Sequence, residues 1–563
     1  MTSFLSFAQL CKKVEDASAT LDKIDLVAAF LAPLEETELS VAANFVMGTV
    51  FPPSSDMVMG VGPSILYEAL GRACGCSAEK ISDMLRETGD PGLVASRVVE
   101  SRRPIGFSAF VEGDQISISL VYQRFCSIAR ASGRRSQDIK VKNLQFLFSQ
   151  ATSLEALYIA RLAIEDLRIG VGEGGVRDAI AKAFAVPAEE VERGYNLNSD
   201  MGLAAAHAKR GELSQLSILL NHPLKMMLAQ LGESIPVALQ EMGVAAVEWK
   251  FDGARVQIHK QGEEVCIFSR RLENVTASLP EISRAIHKHV HAKVAVLDGE
   301  AVALGQDGRP RPFQEILRRF RRKYNVEKLA TQIPLSLFLF DIIYLEGRSL
   351  MDLPLSQRRE LLEQSVDGSM LAEQAITDQP GRAEDIYQKA LAAGHEGIMI
   401  KNPSSVYAPG KRGKNWLKIK PVMETLDLVV IGARWGEGRR ATLLGSYRLA
   451  CMVPETGDLL DVGWVATGFS DEALAELTEI LRDLILVQKG MEVELKPAVI
   501  FEVAYEEIQR SPNYSSGYAL RFPRLVQVRD DKSLEEADTE ERVDLLYKMQ
   551  RGRSSSISRR DKK

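Results

Sequence analysis

The hydrophobic pattern of this chain changes period near residue 220, and no single type of layer can bury both halves. Before that point apolar residues recur at three- and four-residue steps. "SLEALYIARLAIEDLRIG" sets Leu154, Leu157, Ala160, Ile164 and Leu167 on one helical face, which predicts a helix capped by Ser153 and stopped at Gly170. "VRDAIAKAFAV" and "MVMGVGPSILYEALGRACG" have the same texture, without strand-like alternation. From about Val244, short β-rich runs take over: "AAVEWKFDGARVQIHK", "EVCIFSRR", "KVAVLDGEAVAL", "LSLFLFDIIYL", "EGIMIKNP" and "NWLKIKP". Helical segments such as "SQRRELLEQSV" lie between them. After Pro421, "LDLVVIGARWG", "GSYRLACMV", "LLDVGWVATG" and "VIFEVAYEEI" read as strands around one helix, "SDEALAELTEILRDLILVQKG", with Ser470 as its cap and Gly490 as its stop. The expectation is a multidomain chain: an all-α region over 1–220, an α+β region over 221–421, an OB-type β-barrel over 422–545 and a basic, disordered tail over 546–563. A length of 563 residues suits several domains.

Composition narrows the setting. With 45% hydrophobic residues the chain can build real cores, yet no apolar run approaches a membrane span. "MTSFLSFAQLCKKVEDAS" meets a charged pair too early for a secretory signal, so the cytoplasm is expected. Of the six cysteines only Cys74 and Cys76 are close, and reduced thiols are expected. The net charge of −6 argues weakly against nucleic acid, but its distribution matters more. Basic residues gather in "GRPRPFQEILRRFRRKY" and in "RGRSSSISRRDKK". For the first cluster, a DNA-facing surface and a plain solvated helix face are both open.

One stretch carries chemistry. In "EWKFDGAR" a lysine sits between two carboxylates on a strand, with Glu248, Lys250 and Asp252 on one face and Trp249 and Phe251 on the other. Asp252-Gly253 is expected to turn the chain into a hairpin that brings Arg255 near Lys250. A lysine attacks only when neutral, and desolvation or nearby cations favour that state. Arg255 and the lysines of "WLKIKP" are the candidate cations. The pattern K-x-D-G-x-R arises by chance about once in 10^5 windows at average residue usage.

Companion motifs follow in order. With them the chain resembles the covalent nucleotidyltransferase superfamily, and within it ATP-dependent DNA ligases of the archaeal and eukaryotic replicative type. "EWKFDGAR" is similar to the nucleotidyl-lysine motif with Lys250, Glu248 and Arg255. "FSRRLENVT" carries Arg270 on the ribose side, "LDGEAVAL" carries Glu300, and "FLFDIIYL" offers Phe340 to stack on adenine. "HEGIMIKNP" carries Glu396, and "KRGKNWLKIKP" carries Arg412, Lys418 and Lys420. "RFPRLVQVRDDK" is similar to the barrel motif that orients the pyrophosphate, with Arg529 and Lys532. The resemblance covers nearly the whole chain. It implies an all-α DNA-binding domain, an α+β adenylation domain and an OB-fold domain. It implies ATP as cosubstrate, Mg²⁺ or Mn²⁺ held by Glu300 and Glu396, and nicked duplex DNA as partner. A monomer is expected, without membrane attachment and nucleoid-associated in an archaeal or bacterial cell. A sliding clamp is a further partner by analogy, although "QISISL" at Gln115 is a poor clamp motif.

Other signals carry less. "GVGEGG" (Gly170 to Gly175) matches the dinucleotide fingerprint but follows a helix rather than a strand, so a loop near DNA phosphate is preferred. "HKHVH" (His287, His289, His291) is expected to be a solvated helix end. The competing functions are an RNA capping guanylyltransferase or RNA ligase, a non-catalytic DNA-binding scaffold, and an NAD-dependent ligase. The last would need a four-cysteine zinc module, which is missing.

Overall fold

Among the described residues, twelve α-helices, from Phe4–Asp16 to Met201–Arg210, occupy the first part of the chain. The structure, a computed structural model, describes residues 1–550 apart from 56, 102–115, 306–307, 312, 321–325, 422–424, 437–439, 441 and 455. Gln115, Arg321, Arg322 and the tail from 551 therefore lie outside the described residues. Polar caps set the helix starts. Ser3, Ser77, Asp90, Ser117 and Asp200 each accept a backbone N–H from the first turn. The helix expected to start at Ser153 includes that residue, but Thr152 is its cap, in a reciprocal pair with Glu155. It ends at Ala163 rather than Gly170, because Glu165 and Arg168 take left-handed backbone conformations (φ 56° and 57°) that no helix continues.

The chain divides into two compact units. The first comprises Met1–Leu304, Phe313–Ile386 and Met399–Lys418, and the second Gly305–Pro312, Tyr387–Ile398 and Ile419–Lys563. No helix among the described residues is long and apolar enough to cross a membrane.

Among the described residues ten strands follow these helices: β1 (Leu228–Leu231), β2 (Ala245–Lys250), β3 (Ala254–Gln261), β4 (Glu264–Ser269), β5 (Val294–Ala303), β6 (Leu335–Leu345), β7 (Arg348–Ser349), β8 (Gln374–Thr377), β9 (Gly397–Lys401) and β10 (Arg412–Ile419). They form two five-stranded sheets, ordered β1-β10-β9-β2-β8 and β4-β3-β5-β6-β7. The expected β2–β3 hairpin is therefore absent. Both edges of β3 are filled, by β4 and by β5, so β2 has no edge to join there. Instead the chain crosses from one sheet to the other at Asp252-Gly253. Gly253 serves close approach: a Cβ there would lie 2.7 Å from the Ala301 carbonyl oxygen and 2.7 Å from Glu300 Cγ.

The second unit holds β11 (Leu426–Trp435), β12 (Leu444–Met452), β13 (Leu459–Val465), β14 (Ile485–Lys489), β15 (Glu492–Leu495), β16 (Ile500–Ala504), β17 (Glu507–Arg510), β18 (Tyr518–Arg521) and β19 (Arg524–Val528). Seven of them form one sheet: β13-β12-β11-β15-β14, with β16 pairing β11 and β19. Ser470 caps the helix Asp471–Arg482 as expected. That helix does not reach Gly490. The β-branched run beyond Leu484 pairs with β15 as β14, and Gly490 (φ 64°) sits in the turn between them. The last helix, Glu540–Met549, runs across the boundary expected at 546.

Candidate active site

Lys250 is the last residue of β2, an interior strand of its sheet. Two residues earlier, Glu248 is buried and both its oxygens are engaged. Lys401 Nζ on β9 lies 2.5 Å from Oε2, and Gln374 Nε2 on β8 donates to Oε1 at 2.7 Å. Burying a carboxylate costs several kcal/mol unless a cation and hydrogen bonds satisfy it, and Lys401 and Gln374 supply them here. The Lys401 ammonium also lies 4.5 Å from the Phe340 ring centre and 4.4 Å from that of Trp416. These rings meet edge to face, 6.2 Å apart at 78°. Lys250 thus stands at the end of a strand whose buried neighbours set a carboxylate–ammonium pair against two aromatic rings.

A second buried knot lies beside it. Arg255 on β3 makes a two-point pair with Asp298 on β5, at 2.9 and 2.6 Å, and donates to the Met227 carbonyl at 2.6 Å. The Tyr407 hydroxyl donates to Asp298 at 2.9 Å and accepts from the Met227 N–H at 3.1 Å. Burial acts against the Arg255 charge, but Asp298 outweighs it and holds the guanidinium pKa above its ordinary value. Burial and the Asp298 charge both push the Tyr407 hydroxyl up. Arg255 is thus compensated on the spot by Asp298.

The other expected residues are placed as follows. Glu300, half-buried on β5, lies opposite Arg255 on one side and Phe338 on the other. Phe338 in turn stacks on Phe251, with centroids 4.5 Å apart and planes at 8°. Lys418 is half-buried on β10, while Arg270 and Arg412 are exposed. In the second unit Lys420 pairs with Glu396 at 2.7 Å and approaches Glu506 at 3.5 Å. Burial would lower the Lys420 pKa, but the Glu396 charge outweighs it and the net shift is upward. Arg529 and Lys532 both contact Asp427. Among the described residues no group of three His, Cys, Asp or Glu is gathered as a metal cage. Glu300 and Glu396 nevertheless suit a hard cation in donor chemistry.

Lys401, Trp416, Asp298, Tyr407 and Gln374 were missed as site residues in the sequence. Lys401 and Trp416 stand inside stretches already singled out, "EGIMIKNP" and "NWLKIKP", but nothing local shows that either meets Glu248 or Phe340. The basic cluster also needs correction. Arg318 is exposed, but Arg319 is buried, 2.5 Å from Glu281 and 3.1 Å from the Ser278 carbonyl, so it faces the core and not a partner. The histidines of "HKHVH" do not simply stand in solvent: His289 and His291 each lie 2.7 Å from Asp367.

Comparison with known proteins gives a consistent result. Three family descriptions match in order: "DNA ligase N terminus" over residues 3–181, "ATP dependent DNA ligase domain" over 226–420 and "ATP dependent DNA ligase C terminal region" over 440–532. The chain is 63% identical to the DNA ligase of Methanothrix thermoacetophila, covering 98% of this chain and 100% of that one. It is 50% identical to the DNA ligase of Archaeoglobus fulgidus, covering 97% and 99%. A solved structure described as "Pmar-Lig_PreS3" is similar in fold, with a TM-score of 0.56 at 18% identity, covering 93% of this chain and 99% of that chain.

Proposed function

The chain belongs to the ATP-dependent DNA ligase family, and from that premise we propose how its residues carry the reaction. Its function is the ATP-dependent sealing of nicks in DNA. Lys250 Nζ attacks the α-phosphorus of ATP. A P–N bond forms, the P–O bond to the β-phosphate breaks, and pyrophosphate leaves with the electron pair. An oxygen of the 5′-phosphate at the nick then attacks the AMP phosphorus, the P–N bond breaks, and the Lys250 nitrogen leaves with the electron pair and takes up a proton. The 3′-hydroxyl attacks the phosphorus of that 5′-phosphate, a proton is lost, and AMP leaves as the strand closes.

The observation that carries this reading is the Glu248–Lys401 pair beside the Phe340 and Trp416 rings, with Glu248 two residues from Lys250 along β2. A carboxylate accepts and an ammonium donates. Adenine offers an amino donor next to a ring-nitrogen acceptor on its pairing edge, and guanine offers the reverse. The pair therefore favours ATP over GTP, with Phe340 supplying ring contact to the base. Arg270, Arg412, Lys418 and Lys420 supply positive charge for ribose and phosphates as charge builds. Glu300 and Glu396 would hold Mg²⁺, which neutralises phosphate charge when bound. The helices over 1–220 act as the DNA-binding domain, 221–421 as the adenylation domain and 422–545 as an OB-fold. The protein works as a monomer in the cytoplasm.

The test is the intact mass of the full chain after incubation with ATP and Mg²⁺. A gain of one AMP is expected, absent with GTP. Lys250→Ala should show none while still binding nicked DNA. A full AMP gain in that variant would remove Lys250 from the mechanism.

A further inference from the structure

Two cations follow β19, at Arg529 and Lys532, and both are held by one carboxylate from β11. Lys532 Nζ lies 2.5 Å from Asp427 Oδ2, and Arg529 Nη1 lies 3.3 Å from each Asp427 oxygen. Arg529 is also bound two-fold by Asp531, at 2.8 and 2.8 Å, and lies 3.6 Å from Glu502. The three carboxylates differ in kind. Asp531 lies two residues from Arg529 on the same turn and travels with it. Glu502 is committed elsewhere, accepting from the Thr425 hydroxyl and from Gln527 at 2.7 Å each. Asp427 stands on a paired strand, its backbone N–H donating to Asp538 at 2.8 Å, and it touches both cations. Two cations spanned by one oxygen-bearing anion is the arrangement a phosphate would also fill. Two positive charges against three carboxylates leave no surplus for a pyrophosphate, so the group must give up an internal partner before it can hold one.

We propose that Asp427 is a positioning residue: it holds Arg529 and Lys532 while no pyrophosphate lies between them, yields them to the triphosphate, and takes them back as pyrophosphate departs. This rests on the reading of Arg529 and Lys532 as the pair that orients the leaving group. Asp427 touches neither substrate nor reacting atoms. Its effect is to weaken ATP binding in the first step and to oppose the return of pyrophosphate, which makes the lysine adduct persist.

The test uses the full chain with Asp427→Asn, which removes the charge and keeps the shape. The KM for ATP in self-adenylylation is expected to fall about two- to five-fold, the range of a partly exposed ion pair. The pyrophosphate concentration that strips AMP from the lysine should fall in parallel. Asp427→Glu, which restores the charge, should return both toward wild type. Sealing of a nick that already carries AMP involves no pyrophosphate, so it reports whether the fold is intact. Asp427→Ser gives the same reading if the Asn variant does not fold. An unchanged or higher KM in Asp427→Asn, with Arg529→Ala and Lys532→Ala each raising it, overturns the role of Asp427. If the latter two leave the KM unchanged, the reading of the cation pair fails instead.

Discussion

Both units gather cations around carboxylates, but at different depths. In the first unit Glu248–Lys401 is 3% and 2% exposed, Arg255–Asp298 is 15% and 0%, and Arg358–Asp341 is 0% and 0%. In the second, Asp427 is 13% exposed against 19% for Arg529 and 26% for Lys532. A fully buried pair is fixed in place, because losing one partner strands the other charge out of water. A pair at the surface can exchange its partner for a ligand or for water at small cost. The first arrangement suits a wall that must keep one shape through every turnover. The second suits groups that must engage a leaving anion and then release it.

Replacing one lysine at each depth tests this contrast most strongly. Lys401→Met should lower the unfolding free energy by about 3–5 kcal/mol, since Glu248 is left buried and unpaired. Denaturant titration reads this directly. The contrast breaks if the loss is under about 1 kcal/mol.

Acid should act next on the first unit. His259 on β3 is buried, with its pKa pushed down to about 3 by burial and by the nearby His222. Its Nδ1 accepts the Asn221 N–H at 3.1 Å and its Nε2–H donates to Gln257 at 2.9 Å, so the folded ring is neutral. The unfolded ring takes up a proton near pH 6.5, whereas the folded ring resists until about pH 3. This contribution is fully present above pH 6.5 and is lost as pH falls through that window. Between pH 7 and pH 5 the wild type should lose about 2 kcal/mol more than His259→Gln. Equal losses would show that another group sets the acid slope.

Lys532→Met should give the smallest change, within about 1 kcal/mol in unfolding free energy, while altering the response to ATP. A stability loss matching that of Lys401→Met would erase the distinction between the two depths.

Much of this was legible in the sequence, for physical reasons that also mark where it stopped. Each stretch read as a strand around Lys250 contributes a strand, because alternation and β-branched residues are local signals. Partner choice is not local. Asp252-Gly253 has the composition of a hairpin turn, yet β3 already had partners on both sides and the glycine was needed for tight passage beside β5. The basic run near Arg318 looks uniformly solvated until Arg319 is seen facing inward to Glu281. Lys250 is singled out by its own neighbours in the sequence, whereas Lys401 and Tyr407 gain meaning only from residues far away in the chain.

That distance has a consequence during synthesis. Glu248 and Lys401 are separated by 153 positions, and the sheet that joins them draws β1, β2, β8, β9 and β10 from both ends of the region. At translation speeds of about 5–20 residues per second, Glu248 leaves the ribosome roughly 8–30 s before Lys401. A nascent or truncated chain ending before residue 401 carries Glu248 and Lys250 without the cation that pairs with Glu248. A broken message therefore yields a fragment that lacks the Glu248–Lys401 pair.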